Sequence, residues 1–420
     1  MNKNVITIFE HDTLTINQQG LSQHHFNALV KFNDLHNGKY FTVGHNKIKF
    51  KSYVGVLQVG NKVIEILPKA DNNPSTNIQT ISKWQAALLS MLQQAGYIKL
   101  NETEKASQNT GNRNLLDIYL HTFLKEVEFL AHVGLVKKYR YQSANKKVLK
   151  GRLLIHRHIQ QNAVNKEKFY TEHQVYDSNN RFNGILKKAL QIVCQSTANT
   201  SLKQTSSQLL LHFESIDMWS GTLTELENLI FDRKSASYQY AIALAKLIIQ
   251  NFCPDFSSGI HNIIAIMFDM NKLFESYIYK CFKKRENDPS LPKFKVSRQN
   301  SKVFWGDKTI SPDIIVSYQT ADEKHLSFIV DTKWKIVDED QPSDNDLKQM
   351  YVYNFQFNVL KSILFYPKVN QHNMGVKNYE LSDLAQTAQH GCELYFADLF
   401  DENNKLSDRF AIEFLAKNVS

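Results

Sequence analysis

The sequence predicts an α+β protein of several domains, and three changes of pattern along the chain predict it. Up to about residue 77, short β-prone runs alternate with Gly/Asn turns. From residue 78 to about 255 the apolar residues recur at helical spacing. From 256 to 420 helix and strand intermix around short apolar runs. At 420 residues, a prior of roughly 150 residues per domain gives two or three. The expected division is a β-rich N-terminal domain, 1–77, a mostly helical basic middle, 78–255, and a C-terminal α/β domain with a mixed sheet, 256–420.

In the front segment Val5–Phe9 and Thr13–Ile16 are short β-prone runs. Tyr40–Val43, Lys47–Lys51, Tyr53–Val59 and Lys62–Leu67 cluster or alternate β-branched and aromatic residues. Gly60-Asn61 predicts a hairpin turn, Pro68 ends the last strand, and 71–77 reads as a loop. Ile81, Trp84, Leu88, Leu89 and Leu92 then mark a helix. Residues 101–113 are polar and read as a linker. A long amphipathic helix over Leu115–Val133 follows, then basic segments Lys137–Tyr141 and Lys146–Lys150 that suggest a hairpin. Further helical patterns cover Arg181–Val193, Leu202–Phe213, Leu223–Leu229 and Ser237–Phe252. The last segment predicts a helix over Phe268–Lys284, strands Asp313–Tyr318 and Leu326–Lys335, and a helix from Asp344 to Asn358. Strands Ser362–Tyr366 and Glu393–Ala397 complete it.

Charge is unevenly spread. Residues 1–200 carry 26 Lys and Arg against 13 Asp and Glu, whereas residues 301–420 carry 12 against 18. A basic front suits a polyanionic partner. Four cysteines at 194, 253, 281 and 392 form no CxxC pair, so a zinc cluster or disulfide framework is not expected and a reducing compartment fits. Met1–Ile6 lacks the apolar core of a signal peptide, and the most apolar run, around Ala241–Ile249, is interrupted by Lys246. The expectation is a cytoplasmic protein with no membrane partner. Gly55–Lys62 superficially resembles a phosphate loop, but Asn61 separates glycine from lysine and no helix follows. No nucleotide site is expected in this chain; a nucleotide would be bound by a partner.

The chemistry concentrates in Ser311–Val316 and Phe328–Lys333, two runs separated by the polar turn Thr320–Lys324. A hairpin centred on Asp322 pairs residues whose numbers sum to 644, as 313 and 331 do. Asp313 and Asp331 would then face each other, with side chains ~5 Å apart and mutually repelling. Lys333, two residues on, projects from the same face as Asp331. Two such acids call for a positive charge between them, and Mg²⁺ takes oxygen ligands from one or two carboxylates; Mn²⁺ is the other candidate. Lys333 would orient an attacking water or stabilise the transition state. Glu275, on the helix entering the domain, would hydrogen-bond a water on the metal. Ser343 with Asp346 predicts a capping box, placing Gln349 and Tyr353 as i,i+4 neighbours beside the site.

Asp313, Asp331-Thr332-Lys333 and Gln349-xxx-Tyr353 together resemble the PD-(D/E)xK nuclease pattern, in the RecB-like variant with a Q-x-x-x-Y helix. More specifically, SPDIIV at 311–316, VDTKWK at 330–335, DLKQMYVY at 346–353 and FDMNKLFE at 268–275 resemble the McrC family. These are the nuclease subunits of McrBC-type methyl-directed restriction systems. Tyr53–Lys69, Leu115–Tyr119, Lys150-Gly151-Arg152 and Asn180-Arg181 extend the similarity over most of the chain; about 1–40 and the part after 370 match least.

The resemblance implies a Mg²⁺-dependent endonuclease acting on methylcytosine-modified double-stranded DNA in antiviral defence. It implies metal binding by Asp313, Asp331, the Thr332 carbonyl and, through water, Glu275. It also implies an AAA+ GTPase ring of the McrB type as partner, binding the GTP and reading the modification, with self-association inside the complex a further expectation. The basic stretch 101–200, with 16 basic against 8 acidic residues, is read equally as a DNA-facing or a partner-facing surface. Two rival readings are a stand-alone RecB-like repair or end-processing nuclease, and a non-catalytic adaptor binding DNA or an AAA+ ring.

Overall fold

A computed structural model of the chain describes residues 5–17, 20–69, 78–99, 114–164, 166–253, 262–320, 322–337, 341–368, 375–379 and 390–419. The expected loop at 71–77, the linker at 101–113 and the acidic run Asp338–Asp340 fall outside the described residues. The fold is mixed, with several sheets, and agrees with an α+β protein of more than one domain. Two compact units form. One uses described residues within 1–56, 64–110 and 267–420, the other those within 57–63 and 111–266.

The first unit begins with β1 (Val5–Phe9), β2 (Thr13–Thr15), α1 (Gln23–Leu35), β3 (Phe41–Gly44) and β4 (Lys47–Phe50). Strands β2, β4 and β3 form a small antiparallel sheet. Helix α1 departs from the β-only reading of this segment. Ser22 caps it by accepting from the His25 amide, while the His25 ring accepts from the Ser22 amide. That is a capping box with histidine where Glu or Gln is usual, so its sequence signature is weak. The helix buries Phe26, Leu29 and Phe32.

Strands β5 (Tyr53–Val59) and β6 (Lys62–Leu67) follow, joined at Gly60-Asn61 as expected, with no helix after Gly60. The phosphate-loop lookalike is thus a β-turn-β segment. Helix α2 (Ile78–Gln94) closes the front part with Trp84, Leu88 and Leu92 buried.

The second unit contains α3 (Leu115–Val133), β7 (Lys138–Lys146), β8 (Arg152–Leu153), α4 (Ile155–Asn162), β9 (Phe169–Asp177), α5 (Arg181–Ser196), α6 (Thr200–Leu211), α7 (Leu223–Glu227) and α8 (Gln239–Gln250). Asn114, Asn180 and Asn199 cap α3, α5 and α6 by accepting from backbone amides of the first turn. Helices α3, α5, α6 and α8 pack into one bundle. The expected hairpin between Lys137–Tyr141 and Lys146–Lys150 does not form. Both stretches border or lie in the single long strand β7, whose partner is β9, from Lys138↔Asp177 to Lys146↔Phe169. Gly151 lies so close to β9 that a Cβ there would come 2.3 Å from the Glu172 carbonyl oxygen and 2.8 Å from the His173 Cβ. Its φ of 77° also favours glycine, which explains the residue in Lys150-Gly151-Arg152.

Strands β10 (Phe252–Cys253) and β11 (Ile263–Asp269) follow in the chain. Helix α9 (Met270–Lys284) is capped by Asp269. Then come β12 (Phe294–Arg298), β13 (Lys302–Trp305), β14 (Lys308–Ile310), β15 (Ile314–Gln319) and β16 (His325–Thr332). Helix α10 (Asp344–Phe357), β17 (Lys361–Pro367), β18 (Gly375–Asn378), β19 (Gly391–Ala397) and α11 (Arg409–Asn418) complete the chain.

Six of these strands form one mixed sheet of order β12-β15-β16-β17-β19-β18. Strands β16, β17 and β19 run parallel at its centre, which requires crossovers, and α10 is the crossover from β16 to β17. Buried Ile329, Leu364 and Leu394 pack with Met350 and Tyr353 of α10 in a single apolar cluster. A second cluster, with Phe274 and Phe282 of α9 and Phe410 and Phe414 of α11, surrounds Phe365 of β17. Together they hold the ends of β15 and β16 in fixed positions, and those ends carry the acids.

Candidate active site

The β15–β16 ladder runs from Ile314↔Val330 to Gln319↔His325. Every pair sums to 644, the register that places Asp313 beside Asp331. Asp313 lies one residue before β15, so the ladder itself stops at Ile314. Its Oδ2 accepts from both the Thr332 amide and the Thr332 hydroxyl, each at 2.8 Å. Thr332 therefore fixes the rotamer of the first acid, whose charge acts on both Asp331 and Lys333.

Asp331 is 2% exposed. Lys333 Nζ lies 2.6 Å from Asp331 Oδ2. A charged ammonium thus sits in direct contact with a buried carboxylate oxygen. Burial, and then the charge of Asp313, push the Asp331 carboxyl up; Lys333 pulls against them. Asp313 is also raised by burial, although the Thr332 bonds oppose the shift. Burial alone would lower Lys333, but the carboxylates of Asp331, Asp346 and Asp313 outweigh it and hold the ammonium charged.

Helix α10 supplies the support behind Lys333. Gln349 Oε1 accepts from Lys333 Nζ at 3.0 Å, and Gln349 Nε2 donates to the Tyr353 hydroxyl at 2.9 Å. That hydroxyl donates to the Ser311 carbonyl at 3.0 Å, two residues before Asp313. Lysine, glutamine, tyrosine and the backbone leading to the first acid form one continuous chain of hydrogen bonds. Ser343 caps α10 by accepting from the Asp346 amide, as expected. The Asp346 carboxylate does not complete the predicted capping box, because it is drawn to Lys335 and, at 3.6 Å, Lys333.

Glu275 lies half-buried on α9. Burial first, and Asp313 second, push its carboxyl up to about 7; Arg298 and Lys272 oppose them. Asp313 is thus the second cause of its shift, after burial. Two participants went unread in the sequence. Asp346 pairs with Lys333 as a second carboxylate at 3.6 Å, a role its place in a capping motif conceals. Arg298, at the end of β12 opposite Ile314, brings a guanidinium close to Glu275 and lies over Tyr279 at 4.7 Å. Only the β12–β15 pairing, across 15 or more residues of sequence, reveals it.

The donor set fits a hard divalent ion. Asp331 presents a buried oxygen faced by Lys333, and three carboxyls are raised by burial, those of Asp331 and Glu275 also by Asp313. Among the described residues no three His, Cys, Asp or Glu side chains make a cage by themselves, so water and substrate oxygens would complete the shell of an ion such as Mg²⁺.

A family model described as "McrBC 5-methylcytosine restriction system component" matches residues 48–367. The chain belongs to this McrBC family. The match contains the β15–β16 acids, Lys333 and the whole of α10. Among solved structures, the McrBC-family chain is similar to a chain of a half-complex from a tetradecameric assembly of Thermococcus gammatolerans McrB AAA+ hexamers with bound McrC. The TM-score is 0.65 at 20% identity, covering 98% of each chain, which supports a shared fold. A chain of the Thermococcus gammatolerans McrBC complex also matches, with a TM-score of 0.48 at 22% identity, over 66% of this chain and 86% of that one. A search of curated proteins gave no match. Among the described residues no helix is long and apolar enough to cross a membrane.

Proposed function

We propose that this McrBC-family chain is the DNA-cleaving subunit of a modification-dependent restriction system, with a PD-(D/E)xK nuclease domain in its C-terminal part. The observation that carries the reading is the convergence of Asp313, Asp331 and Lys333, with Gln349 and Tyr353 bonded behind the lysine. Asp313 and Asp331 would hold Mg²⁺, joined by the Thr332 carbonyl and supported through Glu275. When bound, the ion supplies a Lewis acid that neutralises phosphoryl charge and lowers the pKa of water.

The chain's own residues do the rest. Lys333 is kept charged by three carboxylates and aimed by Gln349, so its ammonium can meet negative charge developing on the scissile phosphate. Thr332 prevents Asp313 from turning away. Glu275, with its carboxyl near 7, is suited to exchange a proton at neutral pH. We assign GTP binding and recognition of the modified base to an AAA+ ring of the McrB type. The setting we propose is cytoplasmic, and the front segment 1–77 is the proposed partner-facing part.

For the basic middle region, Lys138 is bonded to Asp232 at 3.0 Å and Lys146 to His173 at 2.9 Å. Exposed Lys137 and Lys147 are therefore the cleaner probes of DNA against partner binding. The experiment for the whole reading is cleavage of methylated and unmethylated plasmid with Mg²⁺ and GTP, with and without the AAA+ partner. Cleavage of methylated plasmid only in the complete mixture supports it. Cleavage of unmodified DNA by the chain alone would favour a stand-alone repair nuclease. Undiminished cleavage by Asp331→Ala would remove this chain as the nuclease.

A further inference from the structure

Strands β13 and β14 form a two-stranded sheet of their own and join no other sheet. They pair Lys302↔Ile310, Val303↔Thr309 and Trp305↔Lys308, with a bulge at Phe304 and the tip at Gly306-Asp307. All four residues of β13 are exposed, and of β14 only Ile310 at the base is partly buried. Val303, Phe304 and Trp305 are 67%, 48% and 72% exposed. Three consecutive exposed apolar side chains, including a tryptophan, on a hairpin with no core of its own are a cost unless something covers them.

The base of the hairpin is fixed. Lys302 Nζ donates to the Gln356 carbonyl at 2.8 Å and lies over the Phe357 ring, both at the end of α10. Ile310 packs against the apolar cluster under that helix. Next in sequence, Ser311 accepts from Tyr353, and Asp313 follows. From Lys308 near the tip to Asp313 is five residues, at most ~18 Å of chain. That is less than the width of a DNA duplex, so a duplex held at the tip is wide enough to extend to the acids.

Charge selects the occupant. Residues 293–310 contain Lys293, Lys295, Arg298, Lys302 and Lys308 against a single acid, Asp307, whereas 311–420 carry 10 basic and 17 acidic residues. A basic aromatic element thus stands out of an acidic segment. A second copy of the chain meeting the same hairpin would bring Lys302 and Lys308 against their own kind, since a two-fold contact repeats one patch on both sides. A polyanion with stacked flat bases meets both the positive charge and the aromatic surface.

We propose that the β13–β14 hairpin is a DNA-seating element, which places Trp305 and Phe304 against a base step in the groove beside the phosphate presented to Asp313 and Asp331. It rests on the nuclease reading above and adds to it the way the duplex is gripped. Lys302 and Lys308 neutralise backbone phosphates, and the rigid link through Ser311 couples the position of the bases to the acids. Exposed aromatics that cover no core can be removed without harming the fold, which makes the proposal testable in the whole protein.

In the complex of full-length chain, AAA+ partner, GTP and methylated duplex, a photo-crosslinking amino acid replaces Trp305. The expected product is a covalent adduct to DNA. An adduct to a second copy or to the AAA+ partner, or no adduct at all, would overturn the proposal. In parallel, anisotropy of a labelled duplex in EDTA, where cleavage cannot occur, compares wild type with the Phe304→Ala/Trp305→Ala double variant. A loss of about five- to hundredfold in affinity is expected from lost stacking, with partner binding unchanged. Equal affinity of the two would count against the hairpin. Failure of the nuclease reading reads out separately, as intact DNA in the complete wild-type mixture containing Mg²⁺.

Discussion

Lys333 Nζ sits 2.6 Å from Asp331 Oδ2, while Gln349 holds the same ammonium from the other side. The lysine thus bridges a strand-end acid and the helix behind it, and its charge is the nearest compensation the buried acid has. Lys333→Met keeps most of the volume and removes the charge. Cleavage should fall about 10²- to 10³-fold, the usual loss on deleting one electrostatic stabiliser. Single-turnover cleavage in the complete complex measures it, and activity within twofold of wild type would exclude a chemical role for Lys333.

Tyr353→Phe removes one hydroxyl that links Gln349 to the Ser311 carbonyl. The ring remains in the apolar cluster, so the stability cost should be only about 1 kcal/mol. Activity should fall by more than that stability loss explains, because Lys333 loses its aim. Gln349→Leu should reproduce the activity loss. Urea denaturation paired with cleavage rates separates the two effects; a stability loss with unchanged rates would make both residues purely structural.

Glu275 carries the pH prediction. Its carboxyl rises from 4.5 to about 7 on folding, by burial and then by Asp313. Between those values the folded metal-free protein binds more protons than the unfolded one, so its stability declines as pH rises through the window. Glu275→Gln cannot ionise and should flatten that decline, leaving the variant more stable than wild type at pH 8 and similar near pH 4. Melting curves in EDTA at several pH values test this. Parallel curves for both proteins would mean that Glu275 titrates normally.

Trp334, next to Lys333, donates from Nε1 to the Glu10 carboxylate at 2.6 Å, and the Lys69 amide donates to the same oxygen at 2.9 Å. Glu10 is 1% exposed, and burial pushes its carboxyl up to about 7. Trp334→Phe leaves this buried acid one donor short and should cost about 1–3 kcal/mol. Glu10→Gln should reduce the penalty of that change, since an amide needs no charge compensation. A double-mutant cycle in urea measures the coupling.

Local pattern carried the site well and the scaffold around it less well. Asp313, Asp331 and Lys333 were legible because a symmetric turn sets the register of adjacent strands, and Gln349 and Tyr353 because i,i+4 spacing is local. Helix α1 was hidden by its unusual His25 cap. Strand β7 carries no local signature of its pairing, because its partner, β9, enters 23 residues after it ends. Arg298 belongs to a strand pairing that no short window contains. Asp346 has a local role and a distant one, and the local motif concealed the other.

Metal binding should show itself apart from cleavage. Asp331 and Asp313 are both raised by burial, and Asp331 is raised further by Asp313. A divalent ion bound there relieves repulsion that exists only in the folded state, so it must stabilise the fold. At 100 times its dissociation constant the gain is about 2.7 kcal/mol, and a melting temperature rising with Mg²⁺ at pH 8 would report it. Asp331→Asn removes one ligand and the repulsion together. In EDTA it should melt above wild type at pH 8, yet gain little from Mg²⁺. The two responses are tied to a single carboxylate: an Asn variant still stabilised by Mg²⁺ as strongly as wild type would place the ion elsewhere.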